Sequence, residues 1–84
     1  MKMSVMLFAR FRELARSDAI QVEMPGDGSW TVELLKKQIS IQHPSLSAMM
    51  DSCLVAVNEV FAGNSAKIFP GDSIALMPPV SGGL

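Results

Sequence analysis

Two segments near the start of the chain carry the two-residue period of β-strands. In residues 3–8 and again in residues 19–24, an apolar side chain recurs at every second position. Residues 10–15 between them mix polar and apolar side chains and leave room for one helical turn. The pattern therefore predicts a β-hairpin with a rather long connection.

A helical spacing follows the turn-forming residues 25–29. Three apolar side chains recur there at intervals of three or four: Val32, Leu35 and Ile39. Thr31 is suited to cap the start of this helix, because its hydroxyl can accept a hydrogen bond from a free backbone N–H. Pro44 disfavours helical geometry in His43, so the helix is expected to end there, with a short helical turn in residues 45–50.

The second half of the chain predicts three further strands. These are residues 53–57, a brief strand over 60–62 and a last strand over 73–77. Asn58 and Glu59 suit the turn between the first two. Pro70 and Gly71 suit the centre of a type II turn before the last strand, since glycine tolerates the positive φ that this turn requires.

This order of strands around one main helix predicts the α+β class and the β-grasp, or ubiquitin-like, arrangement. We expect a mixed sheet of four to five strands with the helix packed on one face. The domain is expected to cover residues 1–78, and residues 79–84 are expected to form a flexible C-terminal tail. A chain of 84 residues has room for this one domain, with a modest core and without a deep substrate cavity.

One helix can cover only one face of such a sheet, and the other face is unusually apolar. The side chains that alternation directs toward the helix are Val5, Leu7, Val55, Val57, Ile74 and Leu76. Those directed away from it are Met6, Phe8, Ala56, Ala75 and Met77, with Phe61 beside them. An open face rich in methionine and aromatic residues predicts a docking surface for another protein. The alternative is a register shifted by one residue, which would return these side chains to the core.

Composition and charge narrow the range of partners and cofactors. A formal net charge of −1 provides no long-range field for nucleic acid or an anionic membrane, so neither is expected as a partner. The single Cys53 is either a small buried apolar residue or part of a sulfur relay, and both suit a reducing cytoplasm. One Cys and one His do not make a metal site, and we predict no bound metal or cofactor and no catalytic side chain.

The last residues, Pro78-Pro79-Val80-Ser81-Gly82-Gly83-Leu84, change character abruptly. The prolines end the sheet and stiffen the chain, and the glycines keep its end slim. In extended form the segment from Pro79 to Gly83 reaches about 16 Å, enough to enter a narrow channel of another protein. A terminal carboxylate is a poor electrophile until a partner enzyme converts it to a mixed anhydride with AMP, and a glycine leaves that acyl carbon unhindered.

Residues 71–83 closely resemble the end of the molybdopterin synthase small subunit family (MoaD), and three upstream segments continue the resemblance. These segments are Leu7-Phe8-Ala9-Arg10 with Arg12-Glu13-Leu14, Thr31-Val32-Glu33-Leu34-Leu35, and Ala56-Val57-Asn58. The resemblance spans essentially the whole chain without large gaps. The chain is therefore similar to a sulfur carrier of the β-grasp type.

The resemblance implies a definite function. In that family the terminal glycine, here Gly83, is adenylylated with ATP by an enzyme related to ubiquitin activators, and it becomes a thiocarboxylate with sulfur from a donor protein. The tail, with Gly82 aiding its threading, inserts into the large synthase subunit and donates sulfur to cyclic pyranopterin monophosphate. The positions implied to contact the large subunit are Phe8, Phe61, Met77, Pro78, Pro79, Val80 and Ser81. The resemblance also implies a cytoplasmic hetero-oligomer, with two small subunits flanking a dimer of large ones.

Leu84 departs from the family pattern, because members end at the second glycine. One extra residue displaces the acyl carbon by about 3.5 Å, and a misplacement of even about 1 Å can cost about a hundredfold in rate. The chain that ends at Leu84 is therefore expected to be inactive as a sulfur acceptor. We favour a vector-encoded origin for Leu84; the alternative is removal by a protease.

Three other functions stay open on the sequence alone. The first is a sulfur carrier for another product such as thiamine, and the second is a ubiquitin-like modifier conjugated to lysines. The third is a β-grasp binding module whose tail does no chemistry. The Pro-Pro-Val-Ser sequence before the glycines favours the molybdopterin branch over the first two. If the chain is such a binding module, deletion of residues 82–84 should leave its biological activity intact.

Overall fold

The computed structural model describes residues 1–79. Along the chain its elements are β1 (Lys2–Leu7), α1 (Arg10–Ala15), β2 (Ala19–Glu23), β3 (Trp30–Thr31), α2 (Val32–Gln42), a 3₁₀ helix (Pro44–Met49), β4 (Leu54–Val57), β5 (Val60–Ala62), β6 (Lys67–Ile68) and β7 (Ile74–Met77). The predicted hairpin, main helix, short second helical turn and three later strands are all present.

The main sheet has five strands in the order β2-β1-β7-β4-β5. The first and last strands of the chain, β1 and β7, lie side by side and parallel at its centre, and every other pairing in this sheet is antiparallel. The α+β class and the mixed sheet are therefore as predicted. A second ladder, in which β3 pairs with β6, was not predicted, because strands of two residues are too short to show alternation.

Helix α2 begins and ends where the sequence indicates. The Thr31 hydroxyl accepts a hydrogen bond from the Leu34 N–H at 3.2 Å and so caps the helix start. At the other end the His43 N–H donates to the Ile39 carbonyl at 2.7 Å, immediately before Pro44. The three periodic apolar side chains, Val32, Leu35 and Ile39, are fully buried. Burial of one apolar stripe explains why this segment is helical.

The core lies between α2 and one face of the main sheet. In β1 the buried side chains are Met3, Val5 and Leu7, and they alternate with exposed ones. The sheet register is therefore the predicted one, and the alternative register shifted by one residue is wrong. The side chain of Val57, predicted to face the helix, is only partly buried and packs at the margin of the core.

The connection after β1 contains more structure than one turn. Residues 10–15 form the complete helix α1, and Phe11 is wholly buried in the core. Phe11 was not predicted as a core residue, because one apolar side chain in a polar segment has no period to reveal it. Ala9 precedes α1 with a φ of 52°, which an L-residue rarely adopts.

The outer edge of β2 is closed by two side chains from the end of α2. The Gln42 side-chain amide accepts from the Glu23 N–H at 2.7 Å and donates to the Glu23 carbonyl at 2.8 Å. The His43 ring nitrogen Nε2 lies 2.9 Å from the Gln21 carbonyl oxygen. Three outward-pointing backbone groups of this edge strand, the N–H and C=O of Glu23 and the C=O of Gln21, are thus already paired.

Candidate functional site

Four side chains form one row across the sheet on the face opposite α2. Met6 pairs with Ala75, Ala75 with Ala56, and Ala56 with Phe61. Two residues after Met6, the Phe8 N–H donates to the Leu76 carbonyl at 3.2 Å, so Phe8 continues the ladder of β1 with β7. Together with Met77, these residues form what we call the apolar sheet face: Met6, Phe8, Ala56, Phe61, Ala75 and Met77.

The apolar sheet face is open to solvent in the described part of the chain. Met6 is 48% exposed, Phe8 is 43% exposed and Phe61 is 64% exposed. The residues of the face line a shallow groove of about 510 Å³. Ala56, predicted to face outward, lines this groove but is itself buried, because its short side chain lies in the row between Ala75 and Phe61. Large apolar side chains left in water on one contiguous face mark a docking surface.

The turn between β4 and β5 fixes the position of Phe61. Asn58 and Glu59 have φ values of 51° and 69°, and they join strands whose flanking residues Val57 and Val60 are paired. Positive φ at both central residues is the signature of a type I′ turn. The turn predicted at Asn58 and Glu59 is confirmed, and its twist places Phe61 directly opposite Ala56.

Asn58 also ties this turn to the segment before β7. Its backbone N–H donates to the Ser73 carbonyl at 2.7 Å, and its side-chain oxygen accepts from the Ser73 N–H at 2.9 Å. Its side-chain NH₂ donates to the Asp72 carboxylate at 3.1 Å. Three hydrogen bonds from one residue thus hold the rim of the groove. This role of Asn58 was not predicted, since nothing in local spacing indicates contacts between residues so far apart in sequence.

The start of β7 is held by the predicted Pro70-Gly71 turn. The Asp72 N–H donates to the Phe69 carbonyl at 3.0 Å, and Gly71 has a φ of 93°, as a type II turn requires. The Asp72 carboxylate accepts from the Phe69 N–H at 2.8 Å and reinforces the turn. The strand that contributes Ala75 and Met77 to the apolar sheet face is thereby held at its beginning.

Strand β7 ends at Met77, and the two prolines that follow it lie outside the sheet. Pro78 is partly buried and Pro79 is exposed. The predictions made for Val80, Ser81, Gly82 and Gly83 lie outside the described residues. The boundary after residue 78, the flexible tail and the chemistry of Gly83 therefore stay predictions at this point.

Cys53 lies in the core just before β4. Its side chain is buried, and its thiol donates to the Met50 carbonyl, with sulfur and oxygen 3.4 Å apart. Burial raises the pKa of the Cys53 thiol, because the apolar surroundings disfavour the thiolate. A sulfur relay needs an accessible thiolate, so the structure favours a packing role for Cys53.

Residues 1–79 contain neither a membrane-spanning helix nor a cluster of metal-binding side chains. No helix in that range is long and apolar enough to cross a lipid bilayer. In the same range there is no group of three or more His, Cys, Asp or Glu side chains placed to hold a metal ion.

Known proteins resemble the chain over almost its whole length. The model of the ThiS family matches residues 5–83. The molybdopterin synthase sulfur carrier subunit of Chlamydomonas reinhardtii is 38% identical over 85 residues, which cover 99% of this chain and 100% of that relative.

Solved structures share the fold. SAMP1 from Haloferax volcanii, a small archaeal modifier protein, has a TM-score of 0.78 and 33% identity, covering 99% of this chain and 100% of that chain. A protein–protein complex of subunits 1 and 2 of the molybdopterin-converting factor from Helicobacter pylori 26695 has a chain with a TM-score of 0.64 and 23% identity, covering 99% of this chain and 100% of that chain. The predicted β-grasp fold is confirmed.

Proposed function

The chain belongs to the ThiS family, and from that premise we propose that it is the sulfur carrier subunit of a molybdopterin synthase. The name of the relative from C. reinhardtii supports this choice within the family. In the chain that ends at Gly83, the carboxylate of that residue is the group that carries sulfur, and the protein acts in the cytoplasm. Its partners are the large synthase subunit, an activating enzyme and a sulfur donor protein.

The apolar sheet face is the observation that carries this proposal. Phe8, Phe61 and Met77 stand together on it, and Met77 is also the last residue of β7. From Met77 the chain continues through Pro78 and Pro79 toward Gly83. A protein that covers the face is therefore placed at the base of the segment that ends in the carried group. The docking surface and the start of the tail therefore lie next to each other.

The chemistry proposed for Gly83 is driven by the activating enzyme. A carboxylate oxygen attacks the α-phosphorus of ATP and pyrophosphate leaves, which gives a glycyl adenylate. Hydrosulfide delivered by the sulfur donor then attacks the acyl carbon, AMP leaves with the bonding electron pair, and a thiocarboxylate and a proton result. Glycine suits this step because no side chain shields the acyl carbon. The carrier supplies no acid or base of its own.

Sulfur transfer takes place in the large subunit. We expect the apolar sheet face to bind that subunit through Phe8, Phe61 and Met77, and residues 78–81 to guide the tail into its active site. Gly82 lets the tail pass a narrow channel, since it has no Cβ. The thiocarboxylate of Gly83 then donates sulfur to cyclic pyranopterin monophosphate. The working assembly is a hetero-oligomer of small and large subunits.

The test is the intact mass of two chains, one ending at Gly83 and one ending at Leu84. Each is incubated with the activating enzyme, ATP and a sulfur source. We expect the first chain to gain the mass of one oxygen-to-sulfur exchange. We expect no change in the second, because its acyl carbon is displaced by about 3.5 Å. An unchanged mass for the chain ending at Gly83, with enzyme that is active on another carrier, would contradict the proposal.

A second candidate is a ubiquitin-like modifier, and the similarity to small archaeal modifier protein 1 favours it. Both functions begin with the same glycyl adenylate and differ in the nucleophile that follows. A modifier is attacked by a lysine amine and ends in an amide, whereas a carrier ends in a thiocarboxylate. Conversion of cyclic pyranopterin monophosphate to molybdopterin by the large subunit and the thiocarboxylated chain would select the carrier, also against a role in thiamine synthesis.

A further inference from the structure

The two edges of the main sheet differ, and the difference points to a second mode of contact. The edge at β2 is closed by the side chains of Gln42 and His43. The edge at β5 is bounded by no further strand among residues 1–79. We propose that the β5 edge is a strand-addition site, at which an extended apolar segment of the large synthase subunit pairs with the backbone of Phe61. This inference rests on the proposed function.

The direction of the Phe61 backbone groups follows from the ladders on either side of β4. The Asn58 N–H donates to Ser73, so residue 58 points its backbone groups toward β7. Backbone groups alternate along an antiparallel strand, so Ala56 also points toward β7 and Val57 points toward β5. The pair of Ala56 with Phe61 is therefore not hydrogen-bonded. The N–H and C=O of Phe61 must point away from β4, into the open edge.

The same residue belongs to the open edge and to the apolar sheet face. Phe61 is 64% exposed, with its side chain on that face and its backbone groups directed sideways out of the sheet. A partner that covers the apolar sheet face at Phe61 therefore also lies next to the β5 edge. Val60, on the other side of β5, is 67% exposed. A strand laid along β5 would find apolar side chains on both of its faces, which is why we expect an apolar segment.

A second copy of this chain fits the edge less well. Two β5 strands paired with each other would be three residues long and would join through few backbone hydrogen bonds. A stable interface buries roughly 800 Å² on each partner, far more than such a short ladder covers. The pairing would also leave Met6, Phe8 and Met77 in water, because it extends the sheet sideways. A partner that covers the face and the edge together buries both.

The test removes one backbone donor and leaves every side chain in place. A chain made by chemical ligation carries an ester in place of the amide N–H at Phe61. Its matched control carries an ester at Gln21, whose N–H points out of the opposite, closed edge by the same alternation. We expect the ester at Phe61 to weaken binding to the large subunit about three- to tenfold, the range for loss of one backbone hydrogen bond. The ester at Gln21 should leave the affinity unchanged.

Hydrogen exchange gives a second readout that requires no substitution. The Phe61 amide should exchange freely in the free chain and become protected in the complex with the large subunit. Equal affinity for both esters, or a Phe61 amide that stays unprotected in a complex that does form, would overturn the strand-addition site and leave the carrier function standing. Protection that appears in the free chain as its concentration rises would assign the edge to a second copy and also overturn it. A wild-type chain that does not bind the large subunit would overturn the carrier function itself.

Discussion

Replacement of Phe61 by alanine should separate docking from folding. A phenylalanine has roughly 200 Å² of surface, and 64% exposure leaves about 130 Å² of it for a partner to cover. At about 25 cal/mol per Å², covering that area contributes about 3 kcal/mol to binding. We therefore expect Phe61→Ala to weaken the affinity for the large subunit roughly a hundredfold. The part already covered in the free chain is about 70 Å², so the free energy of unfolding should fall by about 2 kcal/mol.

Phe69→Ala is the matched control for this change. Phe69 is 55% exposed, but it lies beside Trp30 and Lys67, outside the apolar sheet face. Titration calorimetry with the large subunit gives the affinity of each variant, and urea unfolding gives its stability. Wild-type affinity in Phe61→Ala, or an equal loss in Phe69→Ala, would show that the docking surface has been assigned to the wrong face.

Three further predictions concern the residues that hold the face and the core. Asn58→Ala removes the two side-chain hydrogen bonds to Asp72 and Ser73, so urea unfolding should show a loss of about 2 kcal/mol; an unchanged midpoint would mean that the rim is held by other contacts. Glu59→Gly relieves an L-residue at a φ of 69° and should raise the free energy of unfolding by about 1 kcal/mol; a loss of stability would contradict the strain at this turn. Because burial raises the Cys53 pKa, a thiol reagent should react slowly with native protein at neutral pH and faster as pH rises or urea is added. Rapid reaction of the native chain at neutral pH would reopen a sulfur relay.

The sequence predicted those parts of the fold in which burial leaves a period. Alternation in residues 3–8 and the spacing of Val32, Leu35 and Ile39 arise because one side of each element is buried. The strand and the helix predicted from them were both confirmed. The pairing of β3 with β6, two residues each, leaves no such record. Phe11 is likewise a single buried side chain within a polar segment. Elements whose stability comes from distant partners cannot be found by local spacing.

The candidate site also has a part that local spacing predicts and a part that it does not. The outward positions of Met6, Phe8 and Met77 follow from alternation alone, and the structure places them on one face. The hydrogen bonds of Asn58 to Asp72 and Ser73 join turns far apart in sequence, and only the folded chain shows them. The role proposed for Gly83 rests on family resemblance and tail composition, because a single backbone carboxylate leaves no residue spacing to interpret.

The closed edge at β2 has a consequence for the behaviour of this protein at high concentration. If both edges could accept a strand, β5 of one molecule could add to β2 of the next, and the same step could repeat without limit. Head-to-tail contacts of that kind grow into fibres wherever their rotation does not close into a ring. Gln42 and His43 already pair three of the backbone groups that β2 would offer to an added strand, so this polymerisation is disfavoured at its first step. Two polar side chains at the end of one helix thereby help a small protein with an exposed apolar face to remain unpolymerised and free to bind its partner.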